Sequence, residues 1–146
     1  MSDSFFGGDS LFEIHVANDQ SRAGSNVFTN VVIEAGLGEF GWVLGPTSGA
    51  NSLINCSGLG NIRHGLISYC KFASIVGGSW QDHAGYGILI AGGKAAIAGV
   101  NLARNGFGLG ATAECLGVTA ACCNWSENKQ PYDVAAAQGV QLWGNM

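Results

Sequence analysis

Asp82 and His83 stand side by side, with Lys71 close by in sequence, and form the acid–base cluster through which this chain could move protons. A polysaccharide lyase needs a basic residue to take a proton and acidic residues to hold calcium or neutralise uronate groups. A hydrolase needs two carboxylates at a set separation. Asp82 and His83 are therefore the catalytic candidates, although an aspartate is also an ordinary turn residue. The remaining charges are sparse. Glu39 and Arg63 are expected to form an exposed pair of little energetic weight. Lys94, Arg104, Glu114, Glu127 and Asp133 fall in inferred bends, where solvated charge is the default. Nucleophile chemistry has no G-x-S-x-G elbow to use, and no cysteine pairs recognisably with a histidine. The segments Gly85-Tyr86-Gly87 and Gly106-Phe107-Gly108-Leu109-Gly110 lead into no helix, so they lack the helix N-terminus of a phosphate loop.

Five cysteines, Cys56, Cys70, Cys115, Cys122 and Cys123, are odd in number and lack C-x-x-C spacing, so no metal or cofactor is expected and the thiols read as small core residues. Cys122 and Cys123 are adjacent, so in a strand they point to opposite faces and at most one is interior.

Whatever these residues do, short strands must position them. Five apolar strings each begin with glycine: Gly41-Trp42-Val43-Leu44, Gly65-Leu66-Ile67-Ser68, Gly87-Ile88-Leu89-Ile90, Gly108-Leu109-Gly110-Ala111 and Gly139-Val140-Gln141-Leu142. From Gly41 through Gly65 and Gly87 to Gly108 the interval is near-constant, at about 22 residues, which is the spacing of a repeat. The longer interval from Gly108 to Gly139 reads as a fifth string after one insertion. Ile54, Ile75, Ile97 and Val118 form a second column with the same period. The stretch Val100-Asn101-Leu102-Ala103-Arg104-Asn105 is echoed one turn later by Cys123-Asn124-Trp125-Ser126-Glu127-Asn128, with asparagines placed at bends. Such a period suits one turn of a solenoid made of short strands with glycine corners.

In this pattern the chain resembles the right-handed parallel β-helix proteins, the pectate-lyase-like solenoids that include phage tailspikes and polysaccharide-degrading enzymes. The resemblance covers about residues 28–143 and implies an all-β fold: a short right-handed parallel β-helix of about five coils with an N-terminal capping segment. A jelly roll or other β-sandwich is the alternative, although a sandwich needs no common column register. Residues 1–26 do not join the register and are expected to be a cap or an inter-subunit strap, leaving 27–146 as the solenoid. A protruding loop is expected between Asn124 and Gln138, around Pro131.

Twenty-four glycines, two prolines and only 11% charged residues describe a turn-dense packed β protein rather than a disordered one. A net charge of −4 without a basic stripe argues against a nucleic-acid partner. No stretch is apolar for long enough to span a membrane, and the N-terminus lacks the features of a secretory signal, so synthesis in a host cytoplasm is expected.

Alternation along the glycine-led strings puts Trp42, Leu66, Ile88, Leu109 and Val140 inward and Val43, Ile67 and Leu89 outward. An outward apolar stripe marks an interface, so Val43, Ile67 and Leu89 are expected to lie between subunits. The residue before each glycine gives the column Phe40, His64, Tyr86 and Phe107. Of these, Phe40, Tyr86 and Phe107 are candidates for glycan stacking, and equally for ordinary corner stacking. The resemblance implies a homotrimer like those of phage spikes. With so little charge suited to catalysis, the expected function is non-enzymatic: a capsid decoration (cement) or spike protein of a tailed-phage virion. Its partners would be major capsid or tail proteins, with host surface glycan as a further contact. The alternative is a glycan-binding or polysaccharide-degrading tailspike-like module.

Overall fold

The computed structural model describes residues 5–8, 12–16, 25–35, 39–60 and 63–144. The chain winds as a three-sided parallel β-solenoid of about five turns, and among the described residues there is no helix. The first turn holds β1 (Phe5–Gly8), β2 (Phe12–Val16) and β3 (Asn26–Thr29). The second holds β4 (Val32–Ala35), β5 (Phe40–Leu44) and β6 (Ala50–Ile54), and the third β7 (Ser57–Leu59), β8 (His64–Ser68) and β9 (Phe72–Val76). The fourth holds β10 (Ser79–Gln81), β11 (Tyr86–Ile90) and β12 (Gly93–Ala98), and the fifth β13 (Asn101–Ala103), β14 (Phe107–Ala111) and β15 (Cys115–Ala121). β16 (Gln130–Asp133) and β17 (Val140–Trp143) begin a further turn. Sheet I stacks β1-β4-β7-β10-β13, sheet II β2-β5-β8-β11-β14-β16 and sheet III β3-β6-β9-β12-β15-β17.

Left-handed residues turn two of the corners. After sheet III the positive-φ column is Asn30, Asn55, Gly77, Gly99, Cys122 and Gly144, and after sheet I it includes Gly60, Asp82, Arg104 and Glu127. Asparagine and glycine accept this geometry most readily, and Asn30 and Asn55 use it. Of the echoed asparagines, however, Asn101 lies in β13 and Asn124 is bridged to it, and the left-handed corner residues are Arg104 and Glu127, the neighbours of Asn105 and Asn128. The interior is a dry stack of Trp42, Leu66, Ile88 and Leu109 from sheet II, Leu53, Ile75 and Ile97 from sheet III, and Ile33, Trp80 and Leu102 from sheet I. Val31, Cys56, Val100 and Cys123 fill the corner between sheets III and I. Cys70 and Cys115 are also buried and Cys122 is exposed, so neighbours 122 and 123 do part to opposite sides.

Four details of the expected register are corrected. Val140 of the fifth string pairs with Val118 in sheet III, whereas Leu109 in sheet II is followed by Tyr132. Leu109 and Tyr132 are one ordinary turn apart, so the expected insertion is instead a strand, β16, inside the supposed protruding loop. It escaped notice because Gln130-Pro131-Tyr132-Asp133 is an exposed edge strand without the glycine-led apolar signature. In sheet III the true inward column is Phe28, Leu53, Ile75, Ile97, Ala120 and Leu142. Ile54 is paired with Val76 and faces out, and Val118 lies opposite Ala95, because a bulge at Gly93/Lys94 adds a residue to β15. Finally, the described parts of the segment 1–26 do join the register: Phe5 pairs with Val32, Phe12 with Phe40 and Asn26 with Asn51. Each of these intervals is longer than the later period, which hid the segment. The connections where a cap or strap would lie fall outside the described residues.

Candidate functional site

The corner between sheets I and II carries the acid–base cluster. His83 is only 2% exposed and its Nε2 lies 3.0 Å from the Gly58 carbonyl oxygen. A carbonyl can only accept, so Nε2 carries the proton. One turn on, Asn105 Nδ2 donates to the Trp80 carbonyl at 2.9 Å, and after another turn Asn128 Nδ2 donates to the Leu102 carbonyl at 2.5 Å. Gly58, Trp80 and Leu102 are register partners, so His83, Asn105 and Asn128 occupy one column. The rungs are linked as well: the His83 N–H donates to Asn105 Oδ1 at 3.1 Å and the Asn105 N–H to Asn128 Oδ1 at 2.8 Å. This buried polar ladder satisfies backbone groups that the corner removes from the sheets.

The ladder explains the glycines that open the sheet II strings at Gly65, Gly87 and Gly108. A Cβ on Gly65 would lie 2.5 Å from His83 Nε2 and 2.6 Å from the Gly87 oxygen. One on Gly87 would lie 2.8 Å from Asn105 Nδ2, and one on Gly108 2.8 Å from Asn128 Nδ2. Each glycine leaves space for the ladder side chain of the following turn.

Asp82 leaves the corner on the outer side. Its carboxylate accepts from Arg104 Nε at 2.7 Å and from Arg104 Nη2 at 2.8 Å, and Arg104 also donates to Gln81 Oε1. This bidentate bond holds the Asp82 carboxyl below its usual range. Burial depresses the His83 pKa to about 4, so the ring is neutral near pH 7. The two catalytic candidates thus face opposite sides of the wall: a salt-bridged carboxylate outside and a neutral ladder rung inside. Lys71 precedes β9 and so lies at the corner between sheets II and III, away from them. Glu39 and Arg63 occupy equivalent exposed places, but the ion pair found among the described residues is Arg104–Asp82.

Outside this corner is an open cleft of about 670 Å³, lined by Asp82, His83, Arg104, Asn105, Glu127 and Lys129 with Gly60, Ala84 and Gly106 between them. Sequence reasoning left Arg104, Glu127 and Lys129 out of any site. The signal was in the one-turn echo, which already aligned Arg104 with Glu127 and Asn105 with Asn128. Two positive and two negative groups rim the cleft, so its local charge balances. Among the described residues no group of three His, Cys, Asp or Glu side chains could hold a metal ion.

Phe40, His64, Tyr86 and Phe107 stack along sheet II with centroid separations of 5.6, 5.5 and 4.8 Å and interplanar angles of 19°, 22° and 24°. Each ring covers its neighbour's face, which leaves mainly edges to solvent and makes corner stacking the better description of Phe40, Tyr86 and Phe107. The Tyr86 N–H donates to His64 Nδ1 at 3.1 Å, and its hydroxyl to Asp133 at 2.8 Å. Burial and the Asp133 carboxylate push the Tyr86 phenol up to about 12. The ladder also leans over the sheet: a Cβ on Gly110 would strike the Tyr86 ring and sit 2.8 Å from Leu89 Cδ1.

Val43 and Ile67 of the expected interface stripe are only 6% and 4% exposed within the single chain, and Leu89 is half-buried. Little of their surface remains to be removed from water by a partner. The exposed apolar surface is the outer face of sheet III. Its first column reads Ala50, Phe72, Lys94 and Gly117, its middle column Val27, Ser52, Ser74, Ala96, Thr119 and Gln141, and its last Thr29, Ile54, Val76, Ala98, Ala121 and Trp143. Phe72 is 40%, Val76 46% and Trp143 59% exposed, and Lys94 is the one charged residue in these columns. No strand of the described chain covers this face.

No helix among the described residues is long and apolar enough to cross a membrane. No protein-family model matches the chain, and no curated protein or solved structure matches it.

Proposed function

We propose that this protein is a non-enzymatic structural module, a stiff solenoid that works as an oligomer and assembles through the outer face of sheet III. The observation that carries this reading is that face: almost uncharged and bearing exposed Ile54, Phe72, Val76 and Trp143 on its two edge columns. Large apolar side chains grouped on one exposed face support a site of association. Engagement of Asp82 by Arg104 and of His83 by the Gly58 carbonyl supports a structural role for the acid–base cluster. The resemblance to phage spike solenoids supplies the setting, a tailed-phage virion surface, where the module would act as a capsid decoration or spike protein and bind capsid or tail proteins.

Absolute mass by light scattering after size exclusion, near neutral pH and moderate salt, tests the reading, together with a panel of bacterial capsular polysaccharides and pectins. A multiple of the 15.0 kDa chain mass and an inert response to the glycans are expected. A monomer that cleaves a polysaccharide would overturn it in favour of a tailspike-like depolymerase.

A further inference from the structure

Sheet III carries both a knob and a hollow. The knob is Trp143, 59% exposed at the far edge of the last strand. The hollow, of about 280 Å³, lies towards the opposite edge of the sheet, walled by Phe72, Lys94 and Leu116, floored near Gly117 and Gly139, and reaching Ala96, Thr119 and Gln141 of the middle column. The bulge at Gly93/Lys94 and the missing side chains at Gly117 and Gly139 create it. Between them runs the middle column, whose members from Ser52 to Thr119 are small.

Resting on the proposed role of this face, we infer that its occupant is a second copy of the chain, related by a twofold axis parallel to the solenoid axis over the middle column. Such an axis keeps every strand level with its counterpart and exchanges the two edge columns. Trp143 of each copy then meets the Gly117/Gly139 hollow of the other, and Val76 meets Phe72. The contact is isologous, so it closes on itself and leaves no unfilled copy of either feature. Small residues on the axis let the two sheets approach to the usual separation of about 10 Å. A second copy also suits the charge, since a face with only Lys94 offers nothing to attract a strongly charged partner.

Six strands about 4.8 Å apart and five residues about 3.3 Å apart give a face of about 24 by 13 Å. That plane of about 310 Å² per copy is below the roughly 800 Å² per partner of a standard specific interface, so the pairing is expected to be weak and concentration-dependent, with the buried tryptophan as its anchor.

Light scattering across a dilution series of the full chain tests this pairing. A mass of two chains that falls on dilution is expected. Trp143→Ala and Thr119→Arg should each weaken it at least tenfold, while Trp143→Phe retains most of the affinity and all three keep the wild-type circular dichroism. Thr119 is an exposed position on the axis, so its variant tests the contact even if the edge strand suffers from loss of Trp143. A mass of three chains, or a dimer untouched by both variants, overturns the twofold pairing and leaves the oligomeric role standing. A wild-type monomer at all concentrations overturns both.

Discussion

Gly65→Ala is expected to destabilise the fold by about 2–5 kcal/mol, the sum of an overpacked wall and a broken buried hydrogen bond. The new Cβ would come within 2.5 Å of His83 Nε2 and 2.6 Å of the Gly87 carbonyl oxygen. The histidine is held by its bond to the Gly58 carbonyl and is only 2% exposed, and the Gly87 oxygen belongs to the backbone of the next strand. Gly99→Asn is the matched control. Gly99 has φ +63 with nothing within 4 Å of a built Cβ, and its column already holds Asn30 and Asn55 at φ 53 and 51. That change is expected to cost less than about 1 kcal/mol. Urea denaturation of the three proteins checks both, and a Gly65→Ala midpoint equal to that of Gly99→Asn would sink the account of the string-opening glycines.

Acid sensitivity is the second large expected effect, and His83 is its source. In the folded chain its pKa falls to about 4, chiefly through burial, although Asp82 and the Gly58 and Gly60 carbonyls oppose the fall and His64 adds to it. In the unfolded chain it titrates near 6.5. Between those values the unfolded state binds the extra proton, so stability is intact above about pH 6.5 and declines as pH falls towards 4. The full decline amounts to about 3 kcal/mol. His64 contributes in the same direction, since burial and Arg63 also lower its pKa and its Nδ1 accepts from Tyr86. The Asp82–Arg104 pair weakens only below the ordinary aspartate range, because its carboxyl is held low. His83→Asn should place an amide where Asn105 and Asn128 already serve, leave stability at pH 8 within about 2 kcal/mol, and remove most of the loss between pH 6.5 and 4. Thermal melts at half-unit pH steps measure it. An unchanged slope in His83→Asn would mean that another group carries the acid response.

Both expectations turn on the same corner, and they show how far the residues could be read in advance. The glycine-led strings, the small-residue role of Cys56 and Cys123, and the bends at Arg104 and Glu127 are local matters of backbone conformation and side-chain size. A repeated turn writes such features into the sequence at every period. The echo of Val100–Asn105 in Cys123–Asn128 held the polar ladder itself, but its first rung is a histidine, and a histidine beside an aspartate resembles chemistry more than masonry. Where the signal depended on burial it failed: β16 is an exposed edge strand, and β1–β3 follow longer steps, so neither repeats the apolar pattern.

Sequence alone determined that this chain is a parallel solenoid with about 22 residues per turn, because stacking identical turns requires like residues at like intervals. Tertiary structure decided which surface is left open. Val43 and Ile67 alternate outward as surely as Val76 and Trp143 do, but the first two are 6% and 4% exposed and the last two 46% and 59%, and no described strand lies over sheet III. Alternation along a strand fixes only the side to which a residue points; whether water waits there depends on side chains one and two turns away.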